Sequence, residues 1–332
     1  MTNSVDNRME AMIQILAGEL DRPKQHVQNI VALLDEGNTV PFIARYRKEL
    51  HGSMDDQLIR QLADRLQYLR NLQDRRDEVK QSIENQGKLT QELSAAIDDA
   101  ATLAEVEDLY RPYKQKRRTR ATMAREKGLE PLALLAFTQG PAVDIEEAAL
   151  GYIDVEKGVE SIEDALRGAS DIIAELISDD AEVRKGLREL YWRRASIVSE
   201  AASKEPEDSV YRLYYKFSSA LSKTQGHQIL AMNRGEREEI LKVSVEMDRE
   251  TALVALRRKV VPGCAAMEFV KAAAEDAYDR LIAPSLEREV RSELTEKASE
   301  GAIGQFALNL KPLLMQPPVK GFVTMGLDPG YR

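Results

Sequence analysis

At 332 residues the chain is long enough for two or three domains, and its 43% hydrophobic content can fill a substantial core. With 31% charged residues, 5% aromatics and a net charge of -9, it reads as long solvent-facing helices rather than a generic nucleic-acid binder. It has no run of about 18 uncharged apolar residues, no basic-then-apolar secretory signal in MTNSVDNRMEAM, and one cysteine, Cys264, which excludes an intrachain disulfide. The reading is a soluble, cytoplasmic protein with no membrane partner.

Met9, Met12, Ile13, Leu16 and Leu20 recur at three- and four-residue spacings and predict a helix. Asp21-Arg22-Pro23 reads as a restart, with Asp21 as cap and proline in the first turn. Val27, Ile30, Val31 and Leu34 form the next apolar face, and Gly37 ends it as a left-handed cap. Two short helices joined by a tight turn resemble a helix-turn-helix, a pattern that ordinary helical bundles share. After the connector NTVPFIARYRKEL (38–50), Leu58, Leu62, Leu66, Leu69, Leu72, Val79 and Ile83 predict one long helix from about Asp55 to Asn85, closed by Gly87.

Short helices follow near 91–101 and 103–109, and Glu130-Pro131 starts another. Ser161-x-x-Asp164 resembles a capping box ahead of Ile172, Ile173, Leu176 and Ile177. Residues 180–202 read as continuing helix. The polar KEPEDS (204–209) is the best linker, Asn233 to Glu239 reads as a turn into a helix start, and Leu241, Val243 and Val245 alternate as a short strand. Helices resume near Arg249, with a long amphipathic one from Pro284 to Ala298. Lys311-Pro312 and Pro317-Pro318 then break the chain before a strand-like GFVTMGL (321–327). The fold class is mostly α and multi-helical. A helix-turn-helix-like N-terminal region covers 1–203, and a central helical domain with a small strand element covers 204–320.

The charge is unevenly spread. From Arg111 to Lys127 there are eight basic residues and one acid, Glu126, so this window carries +7 and the rest of the chain -16. Lys114, Lys116, Arg117, Arg118 and Arg120 could neutralise phosphates, releasing condensed counterions, and Tyr113 could stack on single-stranded bases. The plainer reading is a segment that clamps acidic helices of the same protein. Arg45, Arg47 and Lys48 form a second, smaller cluster, for which a surface-paired turn is the plainer reading.

His26, His51 and His227 lack metal-ligand spacing, and Cys264 has no histidine near it in sequence and reads as a small buried hydrophobe. No phosphate loop, paired-histidine helix or nucleophile elbow is present. No catalytic residue, metal or cofactor is therefore expected before residue 320. Asp328, among the glycines of GLDPG, is a carboxylate type suited to divalent-metal phosphodiester chemistry, but that chemistry needs several carboxylates. The plainer reading is an exposed tail residue.

NTVPFIARYRKELHG, RLQYLRNLQDRR, QGKLTQEL, VEDLYRPYKQKRRTRATMAREKGLEPLA and GLDPGYR, joined by ILAMNRGEREEILKVSV and DRLIAPSLEREVRSEL, together resemble the bacterial Tex family of transcription accessory proteins. Val106 stands where that family often has leucine. The resemblance runs from about residue 10 to 332. It implies that the chain corresponds to the N-terminal half of a longer protein, with 321–332 as the first strand of an RNase H-like YqgF domain. In the family, helix-hairpin-helix elements and a C-terminal OB-fold follow. It also implies a transcription role, with RNA or single-stranded nucleic acid as a partner, bound largely through that OB-fold, and RNA polymerase as another. The expectation is a non-enzymatic scaffold supporting nucleic-acid and transcription-complex contacts. The alternative is a protein-interaction module that docks RNA polymerase or another factor without touching nucleic acid.

Overall fold

The computed structural model describes residues 2–115, 117–202, 209–317, 320–323 and 325–327. The protein is mostly α-helical and forms two compact units, residues 1–115 and 116–332. Among the described residues, no helix is long and apolar enough to cross a membrane.

The first unit contains α1 (Thr2–Leu20), α2 (Lys24–Asp35), α3 (Val40–Tyr46), α4 (Lys48–His51), α5 (Asp56–Glu84), α6 (Gln91–Asp99) and α7 (Leu103–Tyr110). The long α5 is its spine. Asp55 caps α5 by accepting from the Leu58 N–H at 2.7 Å. At the other end Gly87, at φ 67, lets the N–H groups of Gly87 and Lys88 turn back to the carbonyls of Glu84 and Ile83. One half of the α5 apolar stripe (Ile59, Leu62, Leu66, Leu69) packs with Leu16, Val27, Ile30 and Ile43. The other half (Leu72, Val79, Ile83) packs with Ile97 and Val106.

The α1–α2 junction differs from its reading. Asp21 ends α1 instead of capping α2: it sits at φ 49, and the N–H groups of Asp21 and Arg22 return to the Gly18 and Ala17 carbonyls. This is the Schellman arrangement, built on an aspartate that tolerates the left-handed region. α2 begins after Pro23, with no side-chain cap.

The second unit contains α8 (Arg120–Glu126), α9 (Glu130–Phe137), α10 (Ile145–Ala149), α11 (Ile162–Asp179), α12 (Ala181–Arg194), β1 (Ser196–Ala201), β2 (Lys216–Ala220), α13 (Gly226–Arg237), β3 (Leu241–Glu246), α14 (Arg249–Val260), α15 (Met267–Asp276) and α16 (Ala283–Leu314). A π-helical turn, Ala277–Ile282, joins α15 to α16. α11 lies at the centre, with Ala165, Ala169, Ile172 and Ile173 fully buried, and Ser161 caps it by accepting from the Asp164 N–H. The three strands form an antiparallel sheet in the order β2-β1-β3. The division between the compact units falls at Gln115/Lys116. Of the linker read at 204–209, residues 204–208 lie outside the described residues.

Several elements depart from the sequence reading. Residues 196–201 are the central strand, not helix. Ile197 and Ser199 face inward there, and their partners are distant in sequence: Ser219 and Phe217 on one side, Val245 and Val243 on the other. Asn233 to Arg237 is the last turn of α13, not the start of a helix. α16 runs through Pro312, which so near the end of the helix costs it one hydrogen bond. Residues 320–323 and 325–327 are turn or unpaired chain, with Phe322, Val323, Met325 and Leu327 exposed. A strand needs a partner ladder, and the sheet of this unit does not pair with them.

Gly235 explains why α13 sits so close to β3. A Cβ there would lie 2.6 Å from Leu241 Cδ1 and 3.1 Å from the Tyr211 ring. Gly235→Val is expected to overpack this contact and lower the unfolding free energy by about 1–3 kcal/mol in urea titrations.

α13 and α16 are tied by Arg291. Its guanidinium donates to both Glu236 carboxylate oxygens (2.9 and 2.5 Å), to Asn233 Oδ1 (3.2 Å) and to the Val243 carbonyl (2.9 Å). The hydrogen bond from Arg291 holds the Glu236 carboxyl below its ordinary value of 4.5. A lowered folded pKa gives stability that is fully present above 4.5 and lost as pH falls through the folded value. Arg291→Met is therefore expected to shrink the loss of stability between pH 7 and pH 3.5, read as urea midpoints at the two pH values.

Candidate nucleic-acid interface

The basic window is divided between the two units, and its cations meet different fates. In the first unit, Tyr113 closes a 3-10 turn, Arg111–Tyr113, after α7. Its ring is half-buried and packs against the cluster of Leu72, Val79, Ile83 and Val106, while its carbonyl accepts from Gln86 Nε2 at 2.9 Å. Lys114 is paired with Glu107, and its ammonium lies 5.5 Å from the centre of the Tyr110 ring. Glu107 also accepts from Arg75 Nε at 2.6 Å, and Arg75 lies over the same ring. Burial pushes the Glu107 carboxyl up, but Arg75 and Lys114 outweigh it and hold the group below its ordinary value. This end of the window is a clamp between α5 and α7.

In the second unit, Lys116 lies outside the described residues. Arg117 is exposed and makes no ion pair among the described residues. Arg118 pairs with Glu126 at 2.8 Å, but both side chains are more than half exposed, so the pair holds little energy. Arg120 opens α8 with its side chain exposed, and its charge helps offset the burial that raises the Asp171 carboxyl. Further on, Arg125 and Thr119 both donate to Glu175, a buried carboxylate on α11, at 2.5 and 3.1 Å. The window here runs from free cations to an internal clamp.

Arg45, Arg47 and Lys48 show the opposite pattern. Thr39 and Pro41 start α3, Ile43 is fully buried beneath it, and Arg47, at φ -127 and ψ 36, ends it so that α4 begins one residue later. That leaves Arg45, Tyr46, Arg47 and Lys48 exposed together on the junction of two short helices. Among the described residues none of the three cations has a carboxylate partner. The Tyr46 side chain is 57% exposed, its ring centre is 5.3 Å from that of Phe42, and the Arg47 guanidinium lies 5.5 Å from the Phe42 centre. An aromatic platform with unpaired cations beside it can take a base on its face and phosphates at its edge. Sequence reasoning missed the Tyr46 ring as a site residue. Its signal was the four-residue spacing from Phe42, which places both rings on one helix face.

Cys264 is buried, its Sγ donates to the Val260 carbonyl at 3.2 Å, and burial pushes its thiol up. Among the described residues no group of three histidine, cysteine or carboxylate side chains could hold a metal ion. An open groove of about 710 Å³ between α13 and α16 is lined by Asn233, Glu236, Arg288 and Arg291, whose polar groups are largely occupied with one another. Asp328 lies outside the described residues.

Two family models match the chain: the Tex-like protein N-terminal domain over residues 10–84 and the Tex central region-like model over 140–306. The chain is 45% identical over 323 residues to the uncharacterized protein YdcI of Bacillus subtilis, covering 96% of this chain and 45% of that protein. It is 39% identical over 330 residues to the transcriptional accessory protein Tex of Neisseria gonorrhoeae, covering 96% and 43%. It is 32% identical over 338 residues to the human S1 RNA-binding domain-containing protein 1, covering 97% and 34%. The chain spans less than half the length of these curated relatives.

Proposed function

The chain belongs to the Tex family of transcription accessory proteins, and from that premise we propose that it is a non-enzymatic helical scaffold that contributes a direct contact to single-stranded RNA through the α3–α4 junction. The observation that carries this reading is the set of cations Arg45, Arg47 and Lys48, without a carboxylate partner among the described residues, around the exposed Tyr46 ring. Arg117 and Arg120 offer a second, weaker set in the other unit, whereas Lys114 is committed to Glu107 and Tyr113 to its hydrophobic cluster. The name of the human relative assigns an S1 RNA-binding domain to that protein, which supports RNA as the class to test first. In a whole protein, this surface would act beside whatever domains accompany it.

The test is fluorescence anisotropy of the 332-residue chain with labelled single-stranded RNA and duplex DNA across a salt series. Micromolar RNA binding is expected, lost on charge reversal at Arg45, Arg47 and Lys48 and nearly unchanged by Lys114→Gln. Equal loss from reversing Arg117 and Arg118 would move the contact to the second unit. No binding at low salt would favour the other reading, a module that docks RNA polymerase or another factor through its acidic helix faces. Added magnesium is expected to give no cleavage of either nucleic acid.

A further inference from the structure

The two edges of the sheet in the second unit are treated differently. In antiparallel sheets alternate residues of an edge strand turn their N–H and C=O groups outward. On β3 the outward residues are Leu241, Val243 and Val245. The Val243 and Val245 N–H groups donate to the carboxylates of Glu236 and Glu287 at 3.4 and 3.1 Å, and the Val243 carbonyl accepts from Arg291 at 2.9 Å. Side chains from α13 and α16 thus seal this edge.

Among the described residues the β2 edge has no such seal. The Ala201 N–H donates to the Tyr215 carbonyl and the Leu221 N–H to the Ala195 carbonyl. With Ser199 opposite Phe217 and Ile197 opposite Ser219, this turns residues 215, 217, 219 and 221 toward β1 and Lys216, Ser218 and Ala220 outward. The Ala220 carbonyl is taken by Thr224, through its N–H at 3.2 Å and its hydroxyl at 2.9 Å. The outward backbone groups of Lys216 and Ser218 have no partner among the described residues.

The surroundings of this edge specify a chemistry. Lys216 is exposed on β2, with the exposed basic residues Arg212 before the strand and Lys223 after it. The turn leading into β2 leaves Val210 and Leu213 80% and 84% exposed. A lysine on a short edge strand discourages indiscriminate pairing, but it also favours a strand of opposite charge.

We infer that the β2 edge is a docking site for an extended, acidic segment of a partner protein, which adds as a fourth strand and brings apolar side chains to Val210 and Leu213. Main-chain hydrogen bonds to Lys216 and Ser218 hold the segment, and its acids face Lys216, Arg212 and Lys223. This site is independent of the RNA contact and lies wholly in the second unit.

The probe is a set of fluorescein-labelled eight-residue peptides alternating Glu or Asp with Val or Ile, titrated by anisotropy into the 332-residue chain. Micromolar binding is expected. Ser218→Pro removes one outward donor on an edge that tolerates proline and should weaken binding about tenfold, the equivalent of one lost hydrogen bond. Lys216→Glu should weaken the acidic peptides and favour a lysine-containing set. The inference is overturned if no acidic peptide binds at millimolar concentration, or if both variants bind as the parent does. A concentration-dependent dimer of the chain alone, abolished by Ser218→Pro in sedimentation, would also overturn it by giving the edge to a second copy.

Discussion

Glu289→Ala is expected to lower the unfolding free energy by about 1–3 kcal/mol, the cost of removing the carboxylate from a part-buried, charge-assisted hydrogen-bond cluster. Arg184, on α12, is fully buried. Its Nη2 donates to Ser285 Oγ at 3.1 Å and to Glu289 Oε2 at 3.4 Å, and Arg188 also donates to Glu289. Both partners come from the first turns of α16, so this contact fastens α12 to α16. Without the carboxylate, Arg188 can still swing toward solvent, but Arg184 stays in the interior facing a diminished set of acceptors. Glu289→Gln keeps acceptor geometry without the charge and should fall between the parent and the alanine variant. The pair Arg184→Met with Glu289→Leu should recover part of the loss, because the fully buried Arg184 charge is removed together with its carboxylate, while Arg188 still loses Glu289.

Trp192 is the single tryptophan. It lies on α12, with the Lys297 ammonium of α16 at 4.5 Å from its ring, so its fluorescence during urea denaturation reports on this same contact. A Glu289→Ala cost under about 1 kcal/mol would assign the neutralisation of Arg184 to other groups.

The elements legible in the sequence are those whose signal is local. α5 was readable to within a residue at each end because its stripe of leucines, its Asp55 cap and its Gly87 stop all lie within the segment. Gly37 and Ser161 were readable for the same reason. β1 was not, because Ser-Ile-Val-Ser follows a helix without punctuation and becomes a strand through partners distant in sequence, Phe217 opposite Ser199 and Val245 opposite Ile197 among them. Gly235 looked like a turn because its reason is a neighbouring side chain, Leu241.

The basic window shows the same limit for function. The sequence displayed its charge but not its partners. Glu107 occupies Lys114 and Glu175 occupies Arg125, while Arg45, Arg47 and Lys48 lie in a shorter run and have no carboxylate partner among the described residues. Density of charge along the chain is therefore a poor guide to charge available at the surface.

That distinction sets the largest expected effect on binding. Changing Arg45, Arg47 and Lys48 together to glutamine should cut single-stranded RNA affinity by about 30–100-fold at low salt, and should reduce the slope of log affinity against log salt by about two. The slope follows because each single-strand phosphate contact contributes about 0.7, and three contacts are removed. Tyr46→Ala removes a stacking face worth about 1–3 kcal/mol and leaves the cations in place. Its affinity should fall while its salt slope stays with the parent. Lys114→Gln should move neither quantity appreciably, because its ammonium is already spent on Glu107. A triple variant that keeps the parental slope would show that the three cations meet no phosphate, whatever its affinity. A Tyr46 variant that lowers the slope would show that the ring acts by holding Arg47 in place against Phe42 rather than by stacking on a base.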